Sequence, residues 1–320
     1  MMEKNLICIP FAYNPGMSSG VNLGGGKKNK EKVYLKNICV AAISAKKFNP
    51  NCDVAVATNF DDAEIPTDIL KLFHDWDVQI IHIPFDSFRF DAAYPWCLAF
   101  YKLCVLKHLC EMTYDKVCYM DTDVFIQASF DGIWKECNQN ILLYDINHGL
   151  NTTNYVLLCD EVEKFEGRRK LITHYGGEFF AASIEKAKGF SSVCEEIYQG
   201  MYDKNFVTSK GDEFILSLAA DKLKAIIKNA FPYVCRFWTG ASFRLVSTCY
   251  EYNRVTVLHM PAEKDHGMLK MYGRYISHGI VPDDQIVWRT FRLSRQSIVD
   301  KVLTCVNKSG IRKFVSSRRK

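Results

Sequence analysis

The chain has 320 residues, of which 48% are hydrophobic and 24% charged, and its formal net charge is +5. These values exclude an intrinsically disordered chain, and no stretch approaches the roughly 18 apolar residues of a membrane span. The length suits one large α/β domain or two smaller domains.

Strands and helices alternate through the first 125 residues. Residues 1–10 have too short an apolar run for a signal peptide, so we interpret them as part of the first strand. Apolar runs predict strands at 6–13, 54–58, 78–83 and 116–120, and helical periodicity predicts helices at 33–48, 67–73 and 95–112. The G-G-G-K-K run at 24–28 lacks the spacing of a P-loop and is predicted to be a loop. The alternation predicts an α/β fold with a mostly parallel central sheet, right-handed crossovers and flanking helices.

The second half of the chain is less regular. Its apolar pattern predicts strands at 140–144, 178–183 and 255–259, and helices at 193–202 and 213–223. Without an internal repeat or a proline-rich linker, we expect one continuous domain over 1–275 and a helical, basic extension over 276–320.

Basic residues are concentrated at the end of that extension, since six of the last thirteen residues are lysine or arginine. Two interpretations stay open: a solvated, frayed tail, or a peripheral contact with an anionic membrane surface. The rest of the chain is nearly charge-balanced and has no nucleic-acid-binding motif, so we predict no nucleic-acid partner.

The thirteen cysteines are an odd number, scattered without a C-x-x-C pair, and many stand in apolar runs. This is typical of free, buried, reduced thiols rather than of a disulfide framework. We therefore expect a cytoplasmic protein. A peripheral contact of the basic tail with a membrane is compatible with this location.

Asp121 and Asp123 follow the fourth predicted strand. Alternate residues of an extended chain point the same way, and ligands of open parallel sheets bind beyond the carboxyl ends of the strands. Two neighbouring carboxylates repel unless a cation lies between them, and hard oxygen ligands favour Mg²⁺ or Mn²⁺. The pair therefore predicts a metal site, although an isolated D-x-D often does no more than end a strand.

The segment Y-D-K-V-C-Y-M-D-T-D-V at 114–124 resembles the donor-binding segment of glycosyltransferase family 8, the family of glycogenin and the bacterial lipopolysaccharide galactosyltransferases. Three further segments resemble its motifs in the same order: F-Y-K-L at 100–103, G-D-E-F-I-L at 211–216, and V-L-H at 257–259 followed by G-M-L-K at 267–270. The chain departs from the family at Glu213, where glutamine is usual, at Met271-Tyr272 in place of Pro-Trp, and by four extra residues before Gly267.

The resemblance implies the GT-A fold and a metal-dependent enzyme that transfers a hexose or pentose from a nucleotide-sugar, UDP-linked, to a glycan, glycolipid or glycoprotein acceptor. It implies that Asp121, Asp123 and His259 hold Mn²⁺ (or Mg²⁺), and it implies retention of the anomeric configuration. His259 ends an apolar strand, where a neutral imidazole suits a third metal ligand; His266 is the alternative. The residues expected to bind the nucleotide-sugar are Tyr13, Thr58, Asn59, Lys102, Asp121, Thr122, Gly177, Gly267 and Lys270.

An inverting enzyme would also need one carboxylate as general base. Glu178, Asp212 and Glu213 are the candidate catalytic residues, and the sequence does not choose among them. Phe237 and Trp238 are expected in the aromatic core rather than against an acceptor sugar.

Two other functions remain open. Phosphatases of the haloacid dehalogenase type also carry D-x-D after a strand, but they need threonine or valine at the position that Phe125 occupies, and their pair follows the first strand. A protein that binds a sugar nucleotide or a glycan without turnover is the second alternative.

Overall fold

The computed structural model describes residues 3–14, 30–147, 153–239 and 255–293. The strands of these residues are β1 Asn5–Phe11, β2 Asp53–Thr58, β3 Val78–His82, β4 Lys116–Met120, β5 Val124–Ile126, β6 Ile141–Asp145, β7 Tyr175–Ser183, β8 Ile227–Asn229, β9 Val234–Arg236 and β10 Val257–His259. The α-helices are α1 Lys30–Phe48, α2 Thr67–Asp75, α3 Tyr101–Leu109, α4 Asp131–Cys137, α5 Thr153–Glu166, α6 Ile184–Asp203, α7 Asp212–Lys222, α8 Gly267–Arg274 and α9 Asp284–Thr290.

The central sheet has seven strands in the order β3-β2-β1-β4-β7-β6-β8. Neighbouring strands are parallel except at β7, which runs antiparallel to both β4 and β6. Strands β1 and β4 are buried along their whole length, as expected for a sheet covered on both faces. The predicted α/β fold with a mostly parallel sheet is confirmed.

Two apolar cores cover the two faces of this sheet. One core includes the buried residues of α1 and continues to Phe291 and Leu293, and the other is built from α3, α6 and α7. The alternation of side chains along β1 explains the division, since Ile7 and Ile9 belong to the first core and Leu6 and Cys8 to the second.

A second, three-stranded sheet has the order β5-β10-β9. Strand β10 pairs antiparallel with β5, and this register sets His259 opposite Val124. The three-residue strands β5, β8 and β9 were not predicted, whereas the equally short β10 falls within the longer apolar run at 255–259. This small sheet brings two distant parts of the chain to the end of β4.

Several predicted elements have different bounds. The helix expected over 95–112 is a 3₁₀ turn at Cys97–Phe100 followed by α3. Residues 95 and 96 are outside it because Trp96 adopts a left-handed backbone (φ 59°) that no α-helix contains. Strand β7 begins at Tyr175 and helix α6 at Ile184, both earlier than predicted. The glycines in these segments act as breakers in a sequence pattern, whereas tertiary packing accommodates them.

The first described residues of the extension pack on the domain rather than away from it. Ile276, Val287, Phe291 and Leu293 are buried in the core that α1 also joins. The division at residue 275 stays a prediction, and both the basic tail and the 24–28 loop lie outside the described residues. Among the residues that are described, no helix combines the length and the apolar character needed to cross a membrane.

Candidate active site

Asp121 and Asp123 lie in the short connection between β4 and β5, at the carboxyl end of β4. The backbone N–H of Asp121 donates to Glu178 O on β7 (3.0 Å), and Asp123 O accepts from Met260 N just after β10 (2.9 Å). The two backbone contacts hold the connection against the main sheet on one side and the small sheet on the other. The side chain of Asp123 is buried, whereas that of Asp121 is 31% exposed.

His259 completes a cluster with these two carboxylates. Its Nε2 lies 3.3 Å from Asp123 Oδ2 and 3.7 Å from Asp121 Oδ2, and the three potential ligand atoms lie within 4.8 Å of one another. Asp123 Oδ1 and both ring nitrogens of His259 are buried without a hydrogen-bond partner. Unpaired buried polar atoms are costly. These three atoms, with the partly exposed carboxylate of Asp121 beside them, fit a divalent cation such as Mn²⁺ or Mg²⁺.

The charges of the cluster are strongly coupled. Burial opposes the charged form of Asp123, but Lys264 and His259 hold the pKa of that carboxyl well below its usual range. Burial also opposes the imidazolium form of His259, yet Asp123 and Glu178 raise the pKa of His259 to about 9. The carboxylates thus draw positive charge to this point, which is what a metal ion would supply.

Lys264 is a site residue that the sequence analysis missed. Its Nζ lies 2.7 Å from Asp123 Oδ2. Lys264 also lines a cavity of about 470 Å³ that Asp121, Asp123 and His259 border. Lys270, predicted to contact the diphosphate, is exposed on α8 with its Nζ 3.1 Å from His266 Nε2, and neither it nor Gly267 lines the cavity.

Lys102 lies between two carboxylates, as a lysine within an apolar helix stripe suggests. Its Nζ is 3.1 Å from Asp212 Oδ2 and 3.5 Å from Asp121 Oδ1. Burial opposes the charge, but Asp121 and Asp212 raise the pKa of Lys102 above its ordinary value. Gly177 leaves room for the pair: a Cβ there would overlap Asp212 Oδ2 and lie 2.6 Å from Lys102 Nζ.

Glu178 is turned away from the cavity and towards two positive partners. Its Oε1 accepts from Arg236 Nε (2.7 Å) and lies 3.4 Å from His259 Nδ1. Burial acts to raise the pKa of Glu178, but Arg236 and His259 lower it from 4.5 to about 2. Glu178 thus places a negative charge beside the His259 ring and does not line the cavity.

Glu213 faces the cavity from the first turn of α7. Its Oε2 lies 2.9 Å from His174 Nε2, and its Oε1 lies 3.9 Å from Arg236 Nη2. Neither His174 nor Arg236 was predicted, because no motif surrounds them and only the tertiary structure brings them to Glu213.

The cavity of about 470 Å³ joins these groups. Of the predicted site residues, it is lined by Tyr13, Lys102, Asp121, Thr122, Asp123, Asp212, Glu213 and His259. Thr58, Asn59, Gly177 and Glu178 lie behind this lining. Asn59 still acts on it, since its Oδ1 accepts from Tyr13 N (3.0 Å) and so fixes the backbone of that residue.

Two tryptophans reach the same cavity. Trp96 is 38% exposed and Trp238 is 50% exposed, and both line the cavity. Phe237 is buried in the core, as expected, but the expectation for Trp238 is wrong: consecutive residues of an extended segment face opposite ways, so the chain buries Phe237 and exposes its neighbour.

Asp212 should make stability depend on pH. Burial raises the pKa of Asp212 from 3.8 to about 6, although Lys102 opposes the shift. The folded state therefore holds this proton more tightly than the unfolded state, and the associated stability is present below about pH 4 and is lost as pH rises through 6. Relative to Asp212→Asn, the wild type should lose about 3 kcal/mol of unfolding free energy between pH 4 and pH 7. Urea unfolding in chelating buffer measures this, and a pH-independent difference would contradict it.

Comparison with known proteins gives structural relatives only. No family profile and no curated protein matches the sequence. The galactosyltransferase LgtC, solved with donor and acceptor sugar analogues, matches with a TM-score of 0.55 and 13% identity, over 89% of this chain and 99% of that chain. An active-site mutant of LgtC with glutamate in place of a glutamine matches with a TM-score of 0.54, again at 13% identity and with the same coverage of both chains. At this identity the match establishes the fold, which is the GT-A fold.

Proposed function

We propose that this protein is a metal-dependent glycosyltransferase that transfers a sugar from a UDP-linked donor to a glycan, glycolipid or glycoprotein acceptor. One observation carries the proposal: Asp121, Asp123 and His259 converge on a cavity at the strand ends of a GT-A fold, and Asp123 Oδ1 and both His259 ring nitrogens are buried there without a hydrogen-bond partner. A bound Mn²⁺ or Mg²⁺ would neutralise the charge that grows on a departing diphosphate.

The chain itself supplies two further positive charges at this place. Lys102 approaches Asp121 from α3, and Lys264 approaches Asp123 from the segment after β10. Both lysines line the cavity, and a diphosphate beside the cluster would lie between them. We therefore assign to Lys264 the anion contact first predicted for Lys270, whose own role stays a prediction.

The nucleoside would lie against the ends of β1 and β2. Tyr13 lines the cavity, and Asn59 holds its backbone in place. Thr58 is fully buried and supports this edge from behind. Thr122 lines the cavity between the two aspartates, within reach of a sugar nucleotide.

The three candidate carboxylates differ in what they touch. Glu178 is engaged by Arg236 and His259, so we propose that it positions the metal ligand. Asp212 is paired with Lys102, and Glu213 is the most exposed of the three. In a retaining reaction the departing phosphate can take the acceptor's proton, so neither Asp212 nor Glu213 need act as a base. In an inverting reaction Asp212 or Glu213 would take that proton.

The cavity also offers an acceptor side. Sugars present apolar C–H faces that pack on aromatic rings, and Trp96 and Trp238 expose theirs beside the polar groups of Ser209 and Glu213. Trp96 is held in its left-handed conformation, which costs of order 1–2 kcal/mol for a non-glycine residue, so its placement is imposed by the surrounding structure.

Trp96→Ala should raise the acceptor KM about three- to tenfold while leaving donor hydrolysis by water unchanged, because the indole contacts the acceptor and not the donor. Steady-state kinetics with a panel of free hexoses and disaccharides as acceptors measure both quantities. Phe231→Ala is the matched control, since Phe231 is 43% exposed but does not line the cavity. An equal loss of donor hydrolysis in Trp96→Ala would contradict the acceptor role.

The function itself is tested with a panel of UDP- and GDP-sugars, assayed for hydrolysis and transfer with and without Mn²⁺. We expect turnover of at least one UDP-sugar that EDTA abolishes, and NMR of the product's anomeric proton then distinguishes retention from inversion. Tight binding of UDP and Mn²⁺ without turnover of any donor would indicate a non-catalytic protein. Release of phosphate from small phosphoesters would indicate a phosphatase.

We further propose that the protein acts in the cytoplasm. The eleven cysteines among the described residues are all free and buried, in keeping with a reducing compartment. A contact of the basic tail with anionic lipid remains part of this proposal and falls outside the described residues.

A further inference from the structure

A second group of metal-binding side chains lies apart from the cavity, where the segment after β3 meets α3. Cys104 and His108 are one turn apart on α3 and therefore share a face of the helix. Asp86 reaches the same point from the connection between β3 and the 3₁₀ turn. None of the three lines the cavity.

The ligand atoms of the three side chains are already close. His108 Nε2 lies 3.1 Å and Cys104 Sγ lies 3.4 Å from Asp86 Oδ1, and all three ligand atoms lie within 4.8 Å of one another. A tetrahedral zinc ion with ordinary bond lengths holds sulfur, nitrogen and oxygen ligands about 3.4 to 3.6 Å apart. Two of the three ligand pairs therefore already have nearly the spacing that a zinc ion requires.

The chemistry of the three ligands selects the ion. A thiolate, an imidazole and a carboxylate together suit Zn²⁺, whereas Mg²⁺ and Ca²⁺ prefer oxygen ligands alone. Cys104 is buried, but the side chains of His108 and Asp86 are 28% and 51% exposed. The cluster is thus open to solvent on the side of His108 and Asp86, and a water molecule would supply the fourth ligand of a bound ion.

We propose that Asp86, Cys104 and His108 form a zinc site that is separate from the donor site and ties the β3–α3 connection to α3. On binding, the Cys104 thiol gives its proton to solvent and its sulfur bonds to the metal. The connection also carries Trp96 to the cavity mouth, so the ion stabilises the segment that presents this ring. The proposal does not depend on the proposed enzymatic function.

Titration with Co²⁺ tests the site, because cobalt replaces zinc and a cobalt–thiolate bond gives an intense near-ultraviolet charge-transfer band. The Asp121–Asp123–His259 cluster has no sulfur, so it cannot produce this band. We expect one equivalent of Co²⁺ to produce the band in wild type, Zn²⁺ to remove it, and Cys104→Ser to lack it. Cys110→Ser is the matched control, because Cys110 directly follows α3 and lies outside the cluster. This variant should keep the band.

His108→Gln provides a second variant on a partly exposed residue, where loss of the fold is not expected. It should weaken Co²⁺ binding at least about tenfold, since one of three protein ligands is gone. Zn²⁺ should raise the Tm of wild type by a few degrees more than that of Cys104→Ser, in which, among the described residues, only the Asp121–Asp123–His259 cluster can still bind the ion. Absence of the band in wild type, or its persistence in Cys104→Ser, would overturn the proposal.

Discussion

Asp123→Asn is expected to lower metal-dependent transfer and donor hydrolysis by at least about a hundredfold, the scale of losing one preorganised electrostatic contact to a transition state. Asp123 is buried, and one of its carboxylate oxygens has no hydrogen-bond partner. An amide cannot neutralise a divalent cation, so the ion's affinity should fall together with the rate. Steady-state assays over a range of Mn²⁺ concentrations, with Mn²⁺ binding followed separately by calorimetry, measure the two effects.

Asp160→Asn is the control for this substitution, since Asp160 is a surface carboxylate that pairs with Arg169 and does not line the cavity. It should bind Mn²⁺ and turn over donor like wild type. The variant Asp121→Asn should behave like Asp123→Asn. Metal-dependent donor hydrolysis that survives both substitutions would show that the metal is held elsewhere and that the central proposal is wrong.

Lys102→Met should destabilise the protein by about 3 kcal/mol at neutral pH, because it leaves the Asp212 carboxylate buried without its cation. Adding Asp212→Asn should restore most of this stability, since both members of the pair are then neutral and similar in shape. Activity should remain low in the double variant, because the positive charge beside Asp121 is still missing. Urea unfolding and donor hydrolysis, measured on the two single variants and the double variant, separate the structural role from the functional one.

Lys107→Met serves as the matched control, being a half-exposed lysine of the same helix that pairs with Glu195 at the surface. Its loss should cost no more than about 1 kcal/mol and leave activity intact. If the double variant is less stable than Lys102→Met alone, the buried pair is not the reason for the destabilisation. If its activity returns with its stability, Lys102 acts only on the fold.

Local sequence patterns could predict the position of the site in the fold and several of its residues. The alternation of apolar strands and amphipathic helices is sufficient to place Asp121 and Asp123 at the carboxyl end of β4, where ligands of parallel sheets bind. Lys102 stands out because a lysine inside an apolar helix stripe needs an anion or solvent. His259 follows from its place at the end of a strand, but its approach to Asp123 depends on the pairing of β10 with β5.

The rest of the site has no local signal. Lys264 meets Asp123 across 141 residues of sequence, and Arg236 meets Glu178 across 58. An isolated lysine or arginine in a sequence looks like any solvated surface residue, and nothing about its neighbours shows which carboxylate it will meet. The exposure of Trp238 was also misjudged, because hydrophobicity predicts burial and does not show which side of an extended segment borders a cavity.

The sequence by itself determined the fold class and the pair of aspartates at its ligand-binding edge, because secondary-structure periodicity and strand-end position are properties of neighbouring residues. Only the tertiary structure decided which charges complete that edge. It selected Lys264 rather than Lys270, turned Glu178 towards Arg236 and His259, and left Glu213 facing the cavity. The physical reason is that such contacts join segments far apart in the chain, and they form only when β5, β9 and β10 come together beside the main sheet.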